Sequence, residues 1–216
     1  MKIHSISGTG YDSNIFVIAG EKPTVIDTGT GMHMDSILSQ IAEFIDLTDI
    51  VQIILTHEHF DHTGGVKQLY ETTNKQATII AHKEASIKIE KGESMFARLL
   101  GETMPKMPVD QKLSGEEILQ IGNKQFEVIY TPGHTPGCIC LYNKETKTLF
   151  SGDTVFANGS FGRTDLPGGN SAELKESIKR LSKLDVERLY PGHEMIVEEN
   201  GNHHLKLSLK NVNYFG

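Results

Sequence analysis

Short apolar runs alternate along the chain with stretches whose apolar residues recur at helical spacing. NIFVIA (14–19) and PTVID (23–27) read as strands on either side of the turn GEK. Residues 33–45 place Met34, Ile37, Leu38, Ile41 and Ile45 on one helical face. IVQIIL (50–55) is almost continuously apolar, the pattern of a strand buried on both sides. A helix is expected over 62–73, a strand over 77–81 and a short helix from 83. Residues 90–112 break the rhythm and hold Met95, Phe96, Met104, Pro105, Met107 and Pro108. They suit either a lid or pocket wall of adaptable methionines or a helical insertion packed on the core.

The second half returns to strands at 118–122, 125–131, 138–142 and 148–152. A helix then carries Leu174, Ile178, Leu181 and Leu184, opened by NSAE with Asn170 as its cap. A last strand is expected at 186–190. Each half thus reads as strands followed by strand–helix units. Two packed sheets with helices outside make an α/β fold, a four-layer α/β/β/α sandwich. The expectation is a single domain over 1–216 with a helical insertion near 90–112.

Composition changes this picture little. The 216 residues are 38% hydrophobic and 23% charged, enough for a core, and the formal net charge of -7 argues against nucleic acid or an anionic membrane as partner. No run reaches the roughly 18 apolar residues of a membrane span. The two cysteines, Cys138 and Cys140, share one face of a strand and read as small core residues, not as a disulfide. That usage, and a start without the apolar stretch of a signal peptide, lead us to expect a cytoplasmic protein. The oligomeric state is left open.

The chemistry lies just after the apolar strands. IILTHEHFDH offers His57, His59, Asp61 and His62; VIYTPGHTPG offers His134; LFSGD offers Asp153; LYPGHE offers His193. Loops at strand C-terminal ends are where α/β sheets gather their sites. Seven imidazole and carboxylate groups are too many for one four-coordinate zinc ion. They suit two divalent metal ions with one shared carboxylate: zinc first, with iron and manganese accepted by the same donors. His57 and His59 point the same way in extended chain, and His62 falls at a helix start. Gly64 and Gly65 allow close backbone approach. His4, His33, His82, His203 and His204 read instead as hydrogen-bonded surface groups.

THEHFDH, GHTPG, SGDTVF and PGHE resemble the metal motifs of the metallo-β-lactamase superfamily, in that family's order and over most of the chain. VIDTG (25–29) is similar to its early strand-end motif, which implies that Asp27 braces the site loops. The resemblance implies one metal at His57, His59 and His134 and a second at Asp61, His62 and His193, with Asp153 as the bridge.

A bridged pair of cations lowers the pKa of a shared water and polarises a carbonyl, so a metal-bridging hydroxide cleaves an ester-like bond without a serine or cysteine nucleophile. Asp61 has a second oxygen with which to hold the attacking group. SFGRTDLPGGN (160–170) resembles the segment after the bridging aspartate in glyoxalase II-like thioesterases and in persulfide dioxygenases. It makes Phe161, Arg163 and Thr164 candidates for the substrate rim, with Arg163 set to pair a substrate carboxylate or, together with Asp165, only to brace the loop. The leading expectation is a glyoxalase II-like hydrolase acting on a small-molecule thioester of a hydroxyacid. Only 23 residues follow His193, fewer than the glutathione-holding helical region of glyoxalase II. The alternative is a persulfide dioxygenase with one iron on His57, His134 and Asp153.

Overall fold

The computed structural model describes residues 2–215. Two compact units account for them: the first runs up to Leu113 and includes Gln120–Gln125, and the second comprises Ser114–Leu119 and the chain from Phe126 onward.

The first unit is built on a six-stranded sheet of β1 (Ile3–Ile6), β2 (Ile15–Ile18), β3 (Thr24–Ile26), β4 (Gln52–Leu55), β5 (Thr78–His82) and β6 (Gln111–Leu113), in that spatial order. The first three pair antiparallel, and β3 to β6 run parallel. The parallel strands are linked by α1 (Met34–Ala42), by α2 (Phe60–Thr63) with α3 (Val66–Thr72), and by α4 (Lys83–Lys91) with α5 (Met95–Leu99). Alternate strand residues Val25, Ile53, Leu55, Ile79 and Ala81 pack with Met34, Ile37 and Ile41 of α1, Val66 and Leu69 of α3, and Ala85 and Ile89 of α4. Every residue of β4 is buried, as its unbroken apolar run requires.

The helix expected over 62–73 is two helices. Gly64 closes α2 and Gly65 opens α3, because this chain lies so close to the preceding loop that a Cβ on Gly64 would strike the Thr30 carbonyl and one on Gly65 the Thr28 carbonyl. The 90–112 segment packs inward: Met104, Met107 and Val109 join the core, and Phe96 and Leu100 lean against it. Met95 and Leu99 stay exposed.

The second unit carries the sheet β11-β10-β9-β8-β7, from β7 (Ile118–Ile121), β8 (Lys124–Tyr130), β9 (Ile139–Asn143), β10 (Thr148–Gly152) and β11 (Arg188–Pro191). The tip of the β7–β8 hairpin belongs with the first unit, where Lys22 and Gly122 exchange backbone hydrogen bonds. β8, β9 and β10 pair antiparallel, and β10 to β11 is the parallel step, crossed by α6 (Ser171–Leu181). Asn170 Oδ1 caps α6 by accepting from the Ala172 and Glu173 N–H groups. Cys140, Tyr142 and Leu149 pack with Leu174, Ile178 and Leu181 of α6 and with Leu205 and Val212 of α7 (Gly201–Phe215). Both cysteines are buried and unbridged, and burial pushes the Cys140 thiol up to about 11. Among the described residues no helix is long and apolar enough to cross a membrane.

The sequence pattern predicts no element after residue 193, and α7 lies there. Leu205, Leu209 and Val212 carry helical spacing, and its buried residues fall at 201, 205, 208 and 212. The sequence pattern does not predict β1 or β6 either.

Candidate metal centre

In the first unit the chain bends over residues 56–58 after β4, and His59, in extended conformation, stands at the N-terminal cap of α2. His57 and His62 are fully buried. The His57 ring centroid lies 4.9 Å from that of His59 and 4.1 Å from that of His62. Asp61 and His62 occupy α2 itself, with His62 Nε2 3.9 Å from Asp61 Oδ2.

What fixes this group is Asp27, at the end of β3. Its backbone takes the left-handed conformation (φ 59°), and its carboxylate is buried. The carboxylate accepts from the Thr56 N–H, the Thr56 hydroxyl and His62 Nδ1–H, each at 2.8 Å. A carboxylate can only accept here, so the His62 proton sits on Nδ1 and Nε2 keeps its lone pair for a ligand. The Thr28 N–H and hydroxyl both donate to the His62 carbonyl, and the Ser13 N–H donates to that of Asp61. Glu58, between the two first histidines, reaches the other way, to 3.4 Å from Lys88 Nζ on α4.

The second unit assembles its half from three separate loops. His134 precedes β9, Asp153 follows β10 and His193 follows β11. His134 Nδ1 lies 2.7 Å from the Arg163 carbonyl. That oxygen also only accepts, so Nδ1 carries the proton and Nε2 is left as the donor atom. Asp153 Oδ2 lies 3.5 Å from His134 Nε2 and 3.6 Å from His193 Nε2. Both separations exceed a good hydrogen bond. A buried carboxylate oxygen flanked by two imidazole nitrogens is a donor set that zinc, iron and manganese accept. Gly162 lies directly on this group, since a Cβ there would collide with the Asp153 carbonyl and crowd the His134 ring. Phe156 meets His193 edge-on, with ring centroids 6.2 Å apart.

His57, His59, Asp61 and His62 in the first unit, and His134, Asp153 and His193 in the second, are thus candidate metal-holding groups. At the expected rim, Phe161 and Thr164 are half-buried and Arg163 is exposed. The Arg163 guanidinium forks onto Asp165, Nε to Oδ1 at 2.7 Å and Nη2 to Oδ2 at 2.6 Å. Those bonds hold the Asp165 carboxyl down at about 2.

The remaining histidines serve locally. His4 stacks on Phe44, and His33 pairs with Asp12 at 2.8 Å. His204 accepts from the Asn158 N–H. His82 differs from the expected surface group: it is fully buried and caps α4 by accepting from the Glu84 N–H.

Residues 8–193 match the family model described as the metallo-beta-lactamase superfamily. The chain is 36% identical over 197 residues to the "Probable metallo-hydrolase MJ0888" of Methanocaldococcus jannaschii, covering 88% of this chain and 92% of that one. It is 30% identical over 183 residues to the hydroxyacylglutathione hydrolase GloC of Haemophilus influenzae, covering 83% of each. Among solved structures, the di-iron-bound form of TTHA1623 superimposes with a TM-score of 0.75 at 32% identity over 96% of both chains.

Proposed function

The chain belongs to the metallo-β-lactamase superfamily and has its α/β sandwich fold, and within that superfamily of metallo-hydrolases we propose that it is a binuclear, glyoxalase II-like thioesterase acting on the thioester of a small hydroxyacid. In this reading the whole chain is one metallo-β-lactamase-like domain working in the cytoplasm on a small molecule. His57, His59 and His134 hold one ion, Asp61, His62 and His193 hold the other, and Asp153 is shared. Zinc is the proposed metal, iron and manganese being served by the same donors.

One observation carries the reading. In both units a ligand imidazole has its Nδ1–H committed to an acceptor behind it, His62 to Asp27 and His134 to the Arg163 carbonyl, so that Nε2 stands ready to coordinate. When bound, a pair of divalent ions supplies Lewis acidity to a carbonyl and lowers the pKa of water. Asp61, half-buried, is suited to take a proton from the attacking water. A thiolate leaves readily, so the chain needs no further acid. Phe161, Arg163 and Thr164 form the rim, and Arg163 exchanges Asp165 for a carboxylate of the substrate. The 30% identity to a hydroxyacylglutathione hydrolase supports the thioester assignment.

The test is elemental analysis of protein purified without added metal, followed by thiol release from S-lactoylglutathione and simpler hydroxyacyl thioesters. We expect two ions per chain and turnover. His57→Ala and Asp153→Ala should remain folded, lose metal, and lose activity by at least about 10³-fold, more than removing one transition-state donor costs. One iron per chain, with oxygen uptake on glutathione persulfide and no thioester cleavage, would replace this reading by the dioxygenase one.

A further inference from the structure

We propose that α7 is a clamp on the second half of the metal centre, in which His204, Ser208 and Asn211 act as positioning residues for His134, Asp153 and His193. The inference rests on the reading of those three as metal ligands.

His204, Ser208 and Asn211 are spaced by four and three residues, which puts them on one face of α7. That face receives three consecutive backbone groups of a single turn. The Asn158 N–H donates to His204 Nδ1 at 2.8 Å, Asn211 Nδ2 donates to the Gly159 carbonyl at 2.9 Å, and the Ser208 hydroxyl shares its proton between the Ser160 carbonyl and the His204 carbonyl of its own helix, each at 3.1 Å. The turn needs such support. Asn158 and Gly159 are successive left-handed residues, with φ 55° and 80°. Gly159 is pressed so closely on α7 that a Cβ there would lie 2.7 Å from Asn211 Nδ2 and 2.8 Å from Leu207 Cβ.

From this turn the chain runs to the ligands in both directions. Backwards, the Phe156 N–H donates to the Ser160 carbonyl, and Phe156 meets the His193 ring. Val155 holds on to Ser151, whose hydroxyl donates to its carbonyl at 2.7 Å, and Asp153 lies between them. Forwards, Phe161 bridges to Val155, Gly162 presses on Asp153 and His134, and the Arg163 carbonyl accepts the hydrogen bond of His134 Nδ1–H. A shift of residues 158–160 therefore moves the acceptor that orients His134 and the ring that borders His193. Ser208 lies within the buried stripe of α7, whereas His204 and Asn211 flank it and are only half-buried, so burial does not account for their bonds to the turn. Leu205 and Val212 anchor the same stripe of α7 in the core.

The test uses the full chain with Asn211→Ala, the double variant Ser208→Ala/Asn211→Ala, the conservative Ser208→Thr, and Val212→Ala, which weakens the core contact of α7 and leaves all three side chains that bond the turn in place. Backbone amide exchange at 157–163 is measured on metal-free protein, and zinc affinity by chelator competition. The double variant should raise exchange at 157–163 and weaken zinc affinity by about 10-fold, the lower end of what outer-shell changes cost. Ser208→Thr should match the wild type. Val212→Ala should lower the melting temperature and leave zinc affinity unchanged. Unchanged exchange in the double variant, unchanged affinity, or an equal loss of affinity in Val212→Ala would each overturn the clamp. Wild-type protein that takes up no zinc sinks the ligand assignment itself, and is seen before any variant is made.

Discussion

The two sets of candidate ligands are held in place by different means. In the first unit, four candidate ligands come from six consecutive residues, and one buried carboxylate, that of Asp27, ties His62 and Thr56 together. In the second unit, three candidate ligands come from three loops, and the contacts around them are mostly backbone: the Arg163 carbonyl behind His134 and the chain at Gly162 lying on Asp153. A side-chain brace is one residue deep and fails when that residue changes. A backbone brace is as good as the path of its loop, so its weak points lie further away and at residues with no metal-binding chemistry.

The largest effect should follow from breaking the first brace. Asp27→Asn keeps the shape, but its amide nitrogen cannot accept, so at least one of the three donors loses its partner. Hydrogen bonds to a charged group contribute about 1.5–3 kcal/mol each, so we expect a loss of roughly 3 kcal/mol in urea unfolding. Metal affinity should fall by about 10- to 100-fold, the usual cost of losing the group behind a ligand histidine. If Asp27→Asn keeps wild-type metal affinity, His62 is not oriented in this way.

Next comes the backbone brace. Gly162→Ala adds one methyl group against the Asp153 carbonyl and the His134 ring, where only a backbone shift makes room. Crowding of this kind costs about 1–3 kcal/mol in a packed site. The comparison predicts where the damage falls. Metal affinity should drop while the Asp27-dependent half is untouched, so that the nuclear magnetic resonance signal of the His62 Nδ1 proton persists. Loss of that signal in Gly162→Ala would show that the two braces are not independent.

The same contrast explains what could be read from the sequence. THEHFDH is legible because its spacing is local: four metal-seeking side chains within six residues stay close even where the expected extended chain is a bend over 56–58 that leads into α2. The runs 50–55 and 138–142 are legible because a nearly unbroken apolar run has few other uses, and 125–131 because its buried Phe126 and Val128 alternate with the exposed Gln125 and Glu127. β1 and β6 escaped because they are short and half-exposed, with His4 and Ser5 in one and Gln111 and Lys112 in the other. α7 escaped because its apolar residues are diluted by GNHH and KNVN, and its buried Ser208 counts as polar in any pattern. The bonds from α7 to residues 158–160 span about 50 positions and join a helix side chain to loop backbone, which no residue type announces.

The smallest expected effect distinguishes the two halves by pH. Burial, and secondarily the neighbouring His203, lower the pKa of His204 below its ordinary value of 6.5. The direction is consistent with its bond, since Nδ1 can accept from the Asn158 N–H only while it carries no proton. The folded protein therefore binds fewer protons at this site than the unfolded chain. The stability it contributes is fully present above the unfolded value and is lost as pH falls through the lower folded value. A neutral hydrogen bond is worth about 1 kcal/mol. His204→Gln, whose amide oxygen accepts at every pH, should accordingly lose up to about 1 kcal/mol less than the wild type between about pH 8 and about pH 5. The difference should appear equally in metal-free protein, because it belongs to the turn and not to the ions. If wild type and His204→Gln lose stability in parallel over that range, the ring nitrogen of residue 204 does not hold the Asn158 amide in solution, and the clamp is reduced to Ser208 and Asn211.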